Sequence, residues 1–199
     1  MKKILFLLAM LPMMIACSHE NDSSTNNTIS GAVDEISAYL SKMDSINNSG
    51  RLSHLVVHKI GKFKNIDIEV LDLESGGVHL YCINLKKDVS SSYYSNIEEA
   101  RIVKEEVKYL QQAVNTIAIN TKRKVDTKEM YSYITKDDFR VYASAEDKNY
   151  AWLILLDMNY KLNKREYYTI LSEDELFEFM SLINKGEQKI DELTKQAEH

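Results

Sequence analysis

Proline is almost absent from this chain. Of 199 residues only Pro12 is one, so everything after it runs without a residue that breaks helices and inner strands. Turns must then be made by Gly, Asn and Asp, which favours regular elements with short polar connections. Glycine is also scarce, at six residues, and no glycine-rich phosphate loop follows a strand. No serine stands in a Gly-x-Ser-x-Gly elbow. Cysteine is limited to Cys17 and Cys82, too few for a disulfide scaffold. Positive charge is in deficit, with 25 Lys and Arg against 30 Asp and Glu and a formal net charge of -5. That balance excludes a general nucleic-acid binder and argues against a protein lying on anionic lipid. No apolar run reaches the roughly 20 residues that a membrane-spanning helix needs.

What is present begins at the first residue. Lys2 and Lys3 precede an apolar run from Ile4 to Ile15, and the run ends in Met14-Ile15-Ala16-Cys17. A positive n-region, a short greasy h-region and a small residue before the cut describe an export signal. Ala16-Cys17 resembles the lipobox of bacterial lipoproteins, with Met14 where leucine is usual. Ordinary signal-peptide cleavage after Ala16 would place Met14 at a position that prefers a small residue. The resemblance implies that residues 1–16 are removed and that Cys17 carries a thioether-linked diacylglycerol with a further acyl chain on its amino group. At about 0.8 kcal/mol per buried methylene, several chains anchor stably where one does not. Ser18 after the cysteine resembles lipoproteins sorted to the outer membrane of Gram-negative bacteria, and Glu20 and Asp22 resemble the acidic export signal of Bacteroidota surface lipoproteins. The expected location is therefore the outer membrane, the cell surface being favoured over the periplasmic face.

Losing Lys2 and Lys3 takes the basic count from 25 to 23 against 30 acids, so the charge moves from -5 to -7. Residues 17–29 are polar, lack large apolar side chains and read as a flexible tether. Residues 30–199 are one domain's worth of chain, long enough to bury a core without staples. With Cys17 lipidated, Cys82 has no disulfide partner, and its apolar segment Val78 to Leu85 makes it a buried inert thiol.

The fold expected is α+β. Ser30 can cap a first amphipathic helix carrying Val33, Ile36, Leu40 and Met43, ended by Asn47 to Gly50. Ile66, Ile68 and Val70 alternate with Asp67 and Glu69 as a half-buried strand, and Ser75-Gly76-Gly77 turns the chain back into Val78 to Leu85. Further strands are expected over Leu55 to Ile60 and Tyr93 to Ile102, then a helix from Lys104 to Ile117. A second run follows: Tyr131 to Ile134, Phe139 to Ala143, a central strand from Tyr150 to Asp157, and Arg165 to Leu171. Ser172 and Glu175 form a capping box before a helix striped by Leu176, Phe179, Ile183, Ile190 and Leu193, which Gly186 ends or kinks. Ile102 to Val107 aligns with Leu171 to Leu176, and without a gap Leu110 falls opposite Phe179 and Val114 opposite Ile183. The expectation is an antiparallel β-meander with both amphipathic helices on one face, as half-repeats over 50–120 and 128–195. Two unrelated strand-to-helix junctions would align comparably.

Candidate chemistry is thin. His54 and His58 flank Leu55-Val56-Val57, a strand sequence, which sets the rings about 13 Å apart rather than on one helix face for zinc. His79 also lies in a strand and has no evident partner, and Asp72, Glu74 and Gly76 lack the later ligands of a calcium loop. No catalytic, metal or cofactor residues are assigned. Asp44-Ser45-Ile46 resembles the short O-glycosylation motif of exported Bacteroidota proteins, implying Ser45 as acceptor. The adjacent pairs Tyr93-Tyr94 and Tyr167-Tyr168 fall on strands, so one ring of each pair faces away from the other and is a candidate recognition aromatic for protein or sugar. Ordinary strand tyrosines with half-buried rings are the competing reading. The functional expectation is a lipid-anchored, non-catalytic protein-binding module such as an immunity or inhibitor protein. A surface glycan-binding module is the first alternative and an unrecognised hydrolase the second. Coplanar exposed aromatics would point to glycan, and a deep pocket with perturbed carboxylates to an enzyme.

Overall fold

The computed structural model describes residues 36–46, 52–89, 97–145, 151–159, 161 and 168–198. Cys17, the tether 17–29, Ser30 and the tyrosines Tyr93, Tyr94 and Tyr167 lie outside them. The fold is α+β, with two four-stranded antiparallel meanders. The first contains β1 (His54–Phe63), β2 (Ile66–Ser75), β3 (Val78–Asp88) and β4 (Ile97–Ile102), paired in chain order. Helix α1 (36–46) precedes it and α2 (Lys104–Asn120) follows it. The second contains β5 (Glu129–Ile134), β6 (Arg140–Ala145), β7 (Leu153–Asp157) and β8 (Tyr168–Leu171), again in chain order, and ends in α3 (Glu173–Ala197). The strands thus divide between two sheets, and a four-strand-plus-helix order occurs twice.

Local chemistry explains these elements. The β2–β3 hairpin turns on Gly76 and Gly77, both at positive φ, where a side chain would be strained. Glu74 accepts from the Gly77 N–H and closes the turn. At the start of α3, Ser172 Oγ accepts from the Glu175 N–H at 3.3 Å while the Glu175 carboxylate accepts from the Ser172 N–H at 2.7 Å. In α2 valine stands at the cap and supplies no acceptor, but Glu106 still reaches back to the Val103 N–H at 3.2 Å. The same glutamate–backbone bond starts both helices, at the positions the sequence alignment matches.

Packing then joins the two units. Alternate residues of β2 and β3, among them Ile66, Ile68, Val70, Ile83 and Leu85, meet Val141, Ala143, Ile154 and Leu156 of the second sheet in one apolar cluster. Leu110, Val114, Phe179 and Ile183 from the helices complete it, all fully buried. Each helix packs mainly on the other unit's sheet: α3 lies over β1, β2 and β3, and α2 over β5 and β6. Neither unit can bury its helix alone. Gly186 does not end α3, which continues to Ala197. A Cβ there would meet Ile83 at 3.0 Å, so the missing side chain lets helix and sheet approach.

The opposite face of the first sheet carries a second cluster. Ile36, Leu40 and Met43 of α1, spaced four and three apart, pack on Leu73, Leu80 and Cys82. Cys82 is fully buried, and burial pushes its thiol up to about 12.

Candidate functional site

Side chains bond to the outer backbone of β4, of β8 and of the half of β3 that β4 leaves unpaired. The Arg101 N–H on β4 donates to Asp137 at 2.8 Å, from the β5–β6 turn. The carbonyls of Tyr168 and Ile170 on β8 accept from Lys87 and Lys64 at 2.9 and 2.8 Å. β4 pairs only with the Ile83–Asp88 half of β3, and beyond it the Tyr39 hydroxyl of α1 binds both the N–H and the C=O of Tyr81. Such capping removes edges that would otherwise recruit foreign strands.

The faces differ more than the edges. Register matches the two sheets residue by residue, since Ile83 pairs with Ile102 as Ile154 pairs with Leu171. On the outer face of the first sheet the positions beyond α1 are Glu69, Asn84 and Arg101, and Arg101 is bound by Asp44 of α1 and by Asp137. Their counterparts on the second sheet are Tyr142, Leu155 and Ile170. Around the buried Tyr142 and Leu155 stand Ile170, 59 % exposed, Met130, 58 % exposed, and the exposed Ile134 and Leu153. Among the described residues no helix packs on this face. At Tyr142, Leu155 and Ile170 it is apolar where the first sheet carries Glu69, Asn84 and Arg101.

One end of the patch holds a buried ion pair. Asp157 is fully buried and accepts from Arg140 at 2.9 Å, while the Arg140 guanidinium lies 3.9 Å over the Tyr142 ring. Burial raises the Asp157 carboxyl above its ordinary value against the pull of Arg140 and the Asn159 N–H. Burial also lowers Lys87 and pushes Tyr142 up to about 12. Arg140 and the Asn159 N–H each donate to one oxygen of this carboxylate.

Of the recognition tyrosines, Tyr168 is described: it sits half-buried on β8, its ring edge-on to Tyr142 at 6.2 Å and 79°. Ser45 is exposed on α1, one residue from the Asp44 carboxylate that holds Arg101. His54 and His58 lie on β1, a strand.

His79 does have a partner, which the sequence reading missed. Its Nδ1 is 2.8 Å from Asp72 Oδ1 and its ring stacks on Tyr81 at 5.9 Å. With Leu193, Gln196 and Ala197 at the end of α3 these three line a recess of about 230 Å³. The available signal was the hairpin itself, because a turn at Gly76-Gly77 sets Asp72 opposite Tyr81 and next to His79 on one face. Among the described residues no group of three His, Cys, Asp or Glu could hold a metal, and no described helix is long and apolar enough to cross a membrane. Neither a family model nor a curated protein nor a solved structure matches this chain.

Proposed function

We propose that this protein is a lipid-anchored lipoprotein of the outer membrane, held by Cys17, and a non-catalytic module that binds another protein, as an inhibitor or immunity protein does. The observation that carries the binding reading is the outer face of the second sheet, exposed and apolar at Ile170, Met130, Ile134 and Leu153, with Ile170 standing where the register-matched position of the first sheet is Arg101. Contiguous exposed apolar surface marks an interaction site, and aliphatic side chains with methionine suit a protein partner. The anchor reading rests on the Lys2-Lys3 start, the apolar run and Ala16-Cys17.

A photo-crosslinking residue placed at Ile170 or Met130 in the full-length protein, in cells, should trap one discrete partner, while the same residue at Lys62 on the first sheet should not. An identical pattern at all three positions would overturn the binding reading. For the anchor, Cys17→Ala should abolish incorporation of a fatty-acid analogue, and equal labelling of wild type and variant would end it.

A further inference from the structure

The outer edge of β5 differs from the edges at the joint. Among the described residues β5 pairs with β6 alone, and its register from Glu129–Ala145 to Ile134–Arg140 is unbroken. β1, the edge strand of the first sheet, is interrupted by a bulge between Lys59 and Gly61, which twists an edge away from new partners. Among the described residues no side chain is bonded to the backbone of β5, in contrast to β4, β8 and the free half of β3. Two of its side chains, Met130 and Ile134, belong to the apolar face described above.

Charge tells what would pair there. Lys124 and Lys128 stand before β5 and Lys136 stands after it, all exposed and without an ion pair among the described residues. Asp126 offsets one of them. The other nearby charges are engaged: Arg123 with Glu129, Lys122 with Glu173, and Asp137 with Arg101. This is a basic frame at both ends of one strand in a protein whose net charge is -5. A second copy is a poor occupant, because antiparallel pairing about Ser132 sets Lys128 opposite Lys136 at each end.

We infer that β5 accepts an extended acidic segment of a partner protein as a fifth strand of the second sheet. Main-chain bonds to the free edge would supply affinity, alternate side chains would lie beside Met130 and Ile134, and acidic residues would meet the flanking lysines. The inference rests on the protein-binding reading and gives that partner its chemistry.

The probes are an end-capped peptide of alternating valine and glutamate about ten residues long, its valine–lysine counterpart, and the glutamate peptide N-methylated at alternate residues. Fluorescence anisotropy against the folded full chain should show the glutamate peptide binding about tenfold or more tighter than either other probe, with Lys128→Glu/Lys136→Glu removing that advantage. Hydrogen exchange should show β5 amides gaining protection, which a merely electrostatic surface contact would not give. Equal binding of all three peptides, no binding at about 1 mM, or a dimer of this chain whose interface protects β5 would each overturn the inference. So would lysine-dependent binding to phosphatidylglycerol vesicles with no response to the peptides. If the crosslinked partner of the Ile170 face is unaffected by Lys128→Glu/Lys136→Glu, the binding face stands and the strand-addition inference falls.

Discussion

A methyl group on Gly186 would sit 3.0 Å from Cγ1 and 3.1 Å from Cδ1 of Ile83. The contact ties the middle of α3 to the centre of the first sheet. Gly186→Ala should gain about 1 kcal/mol of helix propensity and lose it again to this contact. The gain should emerge once Ile83 is shortened. In a urea double-mutant cycle, Gly186→Ala should be more favourable in an Ile83→Val background than in wild type. Strict additivity would show that the approach of helix and sheet is not what keeps residue 186 a glycine.

Phe179 touches both units. Its ring lies 5.6 Å from Phe63 of β1 and 5.7 Å from Phe139 just before β6, and it is fully buried. Phe179→Ala should cost about 3–5 kcal/mol, against about 1 kcal/mol for Ser172→Ala, which removes a single capping bond. Because α3 packs on the first sheet while belonging to the second unit, one cooperative urea transition is expected for both variants. Two separated transitions in Phe179→Ala would show that the units fold independently.

Cys82 should resist a thiol reagent in the native protein and react quickly in denaturant. The α1 cluster buries it and burial holds its pKa near 12. Comparable rates in the two states would mean that α1 leaves the sheet readily.

Glu106 carries a pH signature. It is buried, accepts N–H bonds from Val103 and Lys136, and has its pKa raised above the ordinary 4.5 by burial. A carboxyl with a raised folded-state value binds its proton more tightly in the native protein. Its contribution to stability is therefore greatest at low pH and declines as pH rises from the ordinary value through the folded one. Glu106→Gln should remove that decline, so the stability of wild type relative to the variant should fall as pH rises above the ordinary carboxylate value of 4.5. A relative stability that rises instead would show that the two backbone bonds outweigh burial.

Much of this architecture was legible locally. Alternation at Ile66 to Val70, the Ser75-Gly76-Gly77 turn, and the three-and-four spacing of Leu176, Phe179 and Ile183 each specify an element from nearest-neighbour chemistry, and each element forms. The alignment of Val103 to Glu106 with Ser172 to Glu175 marks two equivalent helix starts for the same reason, since capping involves four consecutive residues. Ala16-Cys17 is likewise a local pattern, and the expectation of a lipid anchor stands on it.

Other features belong to the tertiary structure. An amphipathic stripe states that a helix needs an apolar surface but not which one, so the exchange that puts α3 on the first sheet and α2 on the second was unreadable in the stripe. Gly186 looked like a terminator because glycine costs a helix stability; only the position of Ile83 turns it into a close-approach site. The exposure of Ile170 and Met130 was equally hidden, because alternation along a strand names two faces without naming the one that is covered. The sequence by itself determined where the helix starts and the hairpin turn fall, since those choices depend on residues a few positions apart. The fold decided which faces and edges stay open, since that depends on surfaces brought together from far along the chain.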